Sequence, residues 1–142
     1  MKITIECLLS KDKDIEKLYS IHFQKSVSRY VSISENYFDY VTGTEGVYYY
    51  KIIADGTLVG GIHCEMDGEL LYLGICIDEK RRRLGMAEAA LKQLFSVLPD
   101  NLKKIEVSIE ETNKPSLALF EKIGFVRTNK EDELITYCYV LH

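Results

Sequence analysis

The chain predicts a mixed α/β domain of the α+β kind: a central, mostly antiparallel sheet of six to seven strands flanked by about four helices. Three observations predict it. Val47–Ala54, Thr57–Met66 and Leu70–Asp78 are successive strand-like runs, joined by the hairpin pairs Asp55-Gly56 and Asp67-Gly68, which makes an antiparallel meander. Between Leu70 and Glu110 a strand, a turn, a helix and another strand follow, in the order of a right-handed crossover between parallel neighbours. No repeat, low-complexity run or linker divides the 142 residues, so 1–142 is expected to be a single domain.

Each element has its own signal. Lys2–Leu9 alternates Ile3, Ile5 and Cys7 with polar residues, the pattern of a half-buried strand. Ser10-Lys-Asp is a helix start, and Ile15, Leu18, Tyr19 and Phe23 keep helical spacing to about Lys25. His22 shares that face and reads as a core-edge histidine with a satisfied ring. Ser26–Ser34 is expected to be irregular, with Arg29 and Tyr30 able to line a binding mouth, and Asn36–Val41 is a short second helix. With a turn centred on Asp67-Gly68, His63 is expected opposite Tyr72, as a cross-strand packing pair, and Cys64 opposite Leu71.

The stretch Tyr72–Leu98 organises the rest. An apolar strand enters a basic, glycine-containing turn and then a helix whose apolar face is Leu91, Leu94, Phe95 and Leu98. The first amides of such a helix are unpaired and partly positive, so they suit a phosphate. Arg81, Arg82 and Arg83 add full charges, while Gly85 and Ala87 keep the turn free of bulk. Neither a Walker pattern nor a three-glycine dinucleotide fingerprint is present. After the break at Pro99-Asp-Asn-Leu, Lys104–Glu110 alternates as a strand. Asn113 and Pro115 open a last helix that Gly124 stops, and Phe125–Thr128 and Glu133–Leu141 are final strands around the turn Asn129–Asp132.

At 46% hydrophobic and 28% charged, the composition is that of a globular protein, and a net charge of −4 argues against nucleic acid as a partner. No signal core or bilayer-length apolar run appears, so no membrane association is expected. Cys7, Cys64, Cys76 and Cys138 are far apart with no C-x-x-C pair, which reads as buried free thiols in a reducing, cytoplasmic setting rather than a metal site.

Arg82, Gly85 and Ala87 form R-x-x-G-x-A, which resembles the coenzyme A pyrophosphate loop of the GCN5-related N-acetyltransferase (GNAT) superfamily. Asn113, Ser116, Leu119, Phe120, Lys122, Gly124 and Phe125 resemble that family's second motif, N-x-x-A-x-x-L-Y-x-K-x-G-F, with Ser116 for the alanine and Phe120 for the tyrosine. Both motifs stand in the family's order, and the strand–helix pattern fits over nearly the whole chain. The resemblance implies a sheet splayed between Leu70–Asp78 and Lys104–Glu110, with acetyl-CoA or coenzyme A bound in the splay and no metal. It puts the pantetheine chain on the backbone of Ile75, Cys76 and Ile77, with Gly74 as a break or bulge that frees those groups. It puts the pyrophosphate on Arg82, Arg83, Leu84, Gly85, Met86 and Ala87, and further contacts on Asn113, Ser116 and Phe120. Asn113 can equally be a plain helix cap.

The reaction implied is direct attack of a neutral amine on the thioester, without a covalent enzyme intermediate. The backbone N–H of Ile75 holds the oxyanion. Phe120 has no proton to give where the family uses a tyrosine, so Tyr137, Tyr139 or water is left as the acid. Leu71 and Leu73 are expected to face the acceptor cleft; Glu110 is the candidate base, with Glu65 behind it. The acceptor is a small-molecule or peptide amine, and Arg29 hints at an acidic group on it. The protein is expected to be a monomer or homodimer. The alternatives are an acyl-CoA-binding or sensing module without turnover, kept open by Phe120, and a nucleotide-binding module of another kind.

Overall fold

The computed structural model describes residues 1–82 and 85–141; Arg83, Leu84 and His142 lie outside the described residues. In chain order the elements are β1 (Ile3–Cys7), α1 (Ile15–His22), α2 (Lys25–Ser28), α3 (Tyr37–Gly43), β2 (Val47–Ala54), β3 (Thr57–Asp67), β4 (Leu70–Ile77), α4 (Met86–Val97), β5 (Lys104–Glu110), α5 (Lys114–Ile123), β6 (Val126–Glu131) and β7 (Leu134–Val140). The seven strands form one sheet in the order β1-β2-β3-β4-β5-β7-β6. Every neighbouring pair is antiparallel except β4 and β5, which are parallel across the α4 crossover, as their connection predicts. Among the described residues no helix is long and apolar enough to cross a membrane.

Local chemistry explains where the elements depart from expectation. Asp12 accepts hydrogen bonds from the Leu9 and Asp14 amides at 3.3 and 3.0 Å, which holds a turn and delays the first helix from Ser10 to Ile15. The segment expected to be irregular contains the single turn of α2. Asp55 and Gly56 both have positive φ, +48° and +82°, as their tight turn requires. The second hairpin turns one residue later than expected, on Gly68-Glu69, with glycine first at φ +61° and Asp67 still paired with Leu70. His63 therefore stands opposite Gly74, and Cys64 opposite Leu73. The last hairpin is also tighter than the four-residue turn expected: Glu131 pairs with Leu134.

Side-chain alternation gives the sheet two apolar faces. On one, Ile52, Ile62, Leu71, Leu73, Ile105 and Val107 pack against Ala90, Leu91 and Leu94 of α4 and Phe120 of α5. On the other, Val47 and Tyr49 pack with Leu18 of α1 and with Phe38 and Val41 of α3. Lys51 is buried at the edge of this second face, where Asp14 and Asp12 hold its ammonium at 2.9 and 3.2 Å and tie the approach to α1 onto β2. Of the four cysteines, Cys64 and Cys138 are buried as expected, but Cys7 is exposed at the end of edge strand β1.

The second face is built around Tyr49, which is 1% exposed and lies across β3 at Gly61. A Cβ at Gly61 would stand 2.0 Å from the Tyr49 hydroxyl, so only glycine lets the ring through. The hydroxyl meets His22 Nε2 at 2.7 Å. His22 is buried, but its ring is not satisfied as expected, because Nδ1 has no partner. Burial, and to a lesser degree His63, lowers its pKa from 6.5 to about 4.

Gly61→Ala is expected to destabilise the fold by about 1–3 kcal/mol through displacement of Tyr49, read as a lower urea midpoint at unchanged slope. His22 gives a pH dependence. Its folded pKa lies below its unfolded one, so the unfolded chain takes up the proton first as pH falls. Its contribution is therefore complete above pH 6.5 and lost on the way to about 4. A decline of about 3 kcal/mol follows from a shift of that size. Denaturation at a series of pH values should show this slope in the parent chain and a flatter one in His22→Gln.

Candidate active site

The parallel pairing of β4 and β5 stops almost as soon as it begins. Only Leu70, Leu71 and Tyr72 pair with Lys104, Ile105 and Glu106. Beyond that point β4 continues along β3 to Ile77, while β5 continues along β7 to Glu110, so the sheet parts into two halves. The Asp78 amide donates to Val59 O on β3 at 2.7 Å, and backbone groups of a strand alternate sides. The amides and carbonyls of Leu73, Ile75 and Ile77 therefore face the gap, and those of Cys76 face β3. The β3–β4 register runs without a shift through Gly74, so Gly74 is not the bulge expected; divergence of the two strands opens the gap.

The turn after β4 is pinned from the side. Gln24 donates to Asp78 Oδ1 and accepts from the Glu79 amide, both at 3.0 Å, and Ser26 donates to Glu79 at 2.8 Å. Asp78 in turn accepts from the Lys80 amide at 3.1 Å. Arg81 and Arg82 are exposed, and Arg82 Nε reaches Ile77 O at 3.3 Å, which keeps its guanidinium at the end of the gap. Gly85 precedes α4 at φ +73° with open space where a Cβ would stand. Met86 anchors the helix start in the core and Ala87 is half-buried, so the first amides of α4 open beside the arginines. The expected contributions of Arg83 and Leu84 fall outside the described residues.

Across the gap, Asn113 stands at the N-cap position of α5, yet its side chain makes no capping hydrogen bond. Ser116 lies half-buried in the first turn. Phe120 is 1% exposed and packs edge-to-face on Phe125 at 5.0 Å, inside the α4-side core. Tyr137 is buried on that same face, where burial first and the neighbouring Glu121 carboxylate second raise its pKa. Glu110 ends β5 on the opposite face and accepts from Thr112 Oγ1 at 3.0 Å. The structure thus does not bring Glu110 and Tyr137 together.

The face of β3 and β4 that meets α1 and α3 opens into a pocket of about 260 Å³ beside Ile75. Tyr72, Gly74 and Cys76 floor it, with Tyr49 and His63; Val31, Ile33 and Tyr37 wall it. Leu71, expected in this cleft, is fully buried against α4, and Leu73 shares that core while touching the pocket. The offset of one residue in face follows from strand alternation. Arg29 is exposed over the Tyr30 ring at 5.2 Å and is not among the pocket-lining residues. Cys76 Sγ lies 3.4 Å from His22 Nε2, but burial pushes its thiol up to about 11 and keeps it protonated.

Sequence reasoning missed the polar chain on this pocket wall. Tyr37 Oη meets His63 Nδ1 at 2.6 Å, His63 Nε2 meets Glu65 Oε1 at 3.3 Å, and Tyr40 Oη donates to the same Glu65 oxygen at 2.7 Å. His63 and Glu65, two apart on a strand, share a face by spacing alone; nothing local announces that α3 supplies Tyr37.

The model of the acetyltransferase (GNAT) family matches residues 13–125. A comparison with curated proteins gives no match. Among solved structures, spermidine N-acetyltransferase from Vibrio cholerae in complex with CoA and spermine is similar at TM-score 0.80 and 16% identity, over 97% of this chain and 95% of that one. An acetyltransferase from Thermus thermophilus gives 0.83 at 15% identity, over 99% and 98%. The ribosomal-protein-S18-alanine N-acetyltransferase from Escherichia coli gives 0.77 at 20%, over 98% and 94%. Identities this low speak for the fold alone. The family match spans well over half of the chain and includes β4, the basic turn, α4, β5 and α5. The chain belongs to the GNAT acetyltransferase family.

Proposed function

We propose that the chain, acting as one domain over 1–142, is an N-acetyltransferase that moves an acetyl group from acetyl-CoA to an amine by direct attack on the thioester. The observation that carries this reading is the parted sheet: strand backbone facing a gap whose far end meets the start of α4 and Arg82. The residues present fit the coenzyme. Ile75 and the Ile77 amide offer backbone that β5 does not pair toward a pantetheine chain, with Cys76 between them as part of the wall. The amides from Gly85 to Ala87 and the Arg82 guanidinium offer donors to a pyrophosphate, and Gly85 leaves room for close approach. Asn113, free of a capping role, and Ser116 add polar contacts from α5, and Phe120 supports that wall from the core.

Ile75 supports the chemistry as well as the binding. Its amide, directed into the gap beside the pocket, holds the oxyanion that develops as the amine adds. Proximity of the two substrates supplies much of the rate, so the missing tyrosine at 120 does not forbid turnover. Glu110 on the β5 wall and Tyr137 in the α4-side core are already engaged by Thr112 and Glu121 and do not line the pocket, which leaves the amine proton to groups that do. Solved relatives are named for unlike amines, spermidine and an alanine of ribosomal protein S18 among them, which supports amine transfer without choosing the acceptor. Free thiols, two of them buried, support a reducing compartment such as the cytoplasm.

Isothermal calorimetry with coenzyme A tests the anion site. Arg82→Ala is expected to weaken binding about tenfold, roughly 1.4 kcal/mol for one charge-assisted contact; unchanged affinity would remove that residue from the site. Gly85→Val should also weaken binding, by strain at a positive φ and by bulk at the turn, while circular dichroism still reports a folded chain. Thiol release dependent on an added amine marks the enzyme; binding without release for any amine marks a sensing module.

A further inference from the structure

Resting on the acetyl-transfer reading, we propose that Tyr37, His63 and Glu65 form a proton relay for the acceptor amine, and that the pocket they border takes a primary amine with an apolar or aromatic body. The hydrogen-bond chemistry gives the relay a direction. An ionised Glu65 only accepts, so His63 Nε2 donates to it, which leaves Nδ1 as the acceptor of the Tyr37 hydroxyl proton at 2.6 Å. Tyr40 donates to Glu65 as well and holds that carboxylate in place at 2.7 Å. Tyr37 and His63 both line the pocket next to Gly74 and Ile75, so the tyrosine oxygen borders the space where the amine meets the thioester. Gly74 stands opposite His63 and lines the pocket without a side chain; a Cβ there would meet His63 Cβ at 3.8 Å.

Burial pushes the Tyr37 hydroxyl well above its ordinary value, with Cys76 adding to the effect, so alone it neither ionises nor serves as a base. It accepts a proton only by passing its own to His63. In the step, the amine nitrogen bonds the carbonyl carbon, the C–S bond breaks, and the N–H proton goes to Tyr37 Oη as the Tyr37 proton moves to His63 Nδ1. The imidazolium is stabilised by Glu65 and returns its proton to solvent, which the partly exposed side chains of His63 and Glu65 reach; the departing thiolate takes one from solvent. The titratable groups facing His63 are Tyr37 and Tyr40 on α3, Tyr49 on β2, Glu65 on its own strand, Tyr72 and Cys76 on β4, and His22 on α1. His22 stays neutral, held down to about 4 by burial, and does not compete for the proton.

The acceptor class follows from the walls. Val31, Ile33, Tyr49, Tyr72 and Leu73 surround the cavity, and no Lys, Arg, Asp or Glu is among its described lining residues. Such a site desolvates an amine into its reactive neutral form but has no partner for a second charge.

The test is steady-state kinetics of the full chain with acetyl-CoA and three probes: phenethylamine, spermidine and glutamate. Turnover should favour phenethylamine. Tyr37→Phe and His63→Gln should each lower kcat about 10²-fold, a usual share for a positioned proton acceptor, with the KM for acetyl-CoA unchanged. Both should also flatten the acidic limb of the kcat pH profile. Glu65, a positioning residue, should show a smaller loss as Glu65→Gln that Glu65→Asp partly restores. Preference for spermidine or glutamate, no turnover of phenethylamine, or variants with parental kcat and pH profile would overturn this inference, while retained coenzyme binding would leave the acetyl-transfer reading standing. Tyr37→Phe removes one hydroxyl, so its kinetics decide the matter even where His63→Gln fails to fold. Absence of coenzyme binding by the parent chain would overturn both readings.

Discussion

Three residue pairs join the two halves of this sheet, and the rest of the molecule is arranged around that short ladder. A parallel sheet normally satisfies its inner strands on both edges, because a buried backbone group without a partner costs as much as a lost hydrogen bond. Here β4 keeps its full pairing with β3 but gives up β5 after Tyr72. The exposed edge is in the middle of the sheet instead of at its rim, and it belongs to the strand that runs straight into the α4 turn. A ligand with an amide-bearing chain and a polyanionic end fits both features at once. The two halves stay together through the apolar layer beneath them: Leu71 and Ile105, opposite each other at the ladder, are both fully buried under α4. Packing on one face thus holds a sheet whose hydrogen bonding is interrupted.

The opposite face follows a different logic. It brings the polar chemistry of buried His22 and partly exposed His63, with Tyr49, Tyr37 and Cys76, among apolar residues of α1 and α3. Polar groups in such a layer need partners, and glycines supply the geometry that lets them meet. Gly61 allows Tyr49 to cross β3 and reach His22, while Gly74 lines the pocket opposite His63 without a side chain of its own. A side chain at Gly61 would displace the Tyr49 ring from this floor. The unpartnered Nδ1 of His22 is the residual cost of this arrangement.

How much of this was legible in the sequence depends on how local the signal is. The meander, the parallel crossover and the β4–turn–α4 unit were legible because alternation, glycine and charge act within a few residues. The family motif containing Arg82, Gly85 and Ala87 lies in that same local stretch. The register of the second hairpin was not: Asp67-Gly68 and Gly68-Glu69 compete as turns, and strand pairing beyond the turn decides between them. The start of α1 was misplaced because the Asp12 side chain competes with the helix for backbone amides. Leu71 lies on the opposite face from that expected, and Leu73 meets both core and pocket, because no single strand says which of its two sides meets the larger helix. The Tyr37–His63 contact spans 26 residues and two separate elements, so only the packing of α3 on the sheet reveals it.

The departure at Phe120 acquires a physical meaning from this distribution. The ring is fully inside the α4-side core and packed edge-to-face on Phe125, so a hydroxyl at its edge would need a buried partner. With phenylalanine there, that core remains apolar, and the ionisable groups near the pocket collect instead on the α3 side of β3 and β4. The proposed coenzyme and acceptor functions are then divided between the two sides of one strand. The edge of β4, through Leu73, Ile75 and Ile77, faces the gap, while its other face, through Tyr72, Gly74 and Cys76, lines the pocket. Because edge and face of a strand are set by the same backbone alternation, a shift of one residue in β4 would misplace both together. The unbroken register of β4 on β3, with Gly74 opposite His63, is therefore what would keep the proposed oxyanion donor and the proposed proton acceptor on adjacent sides of the reacting carbon.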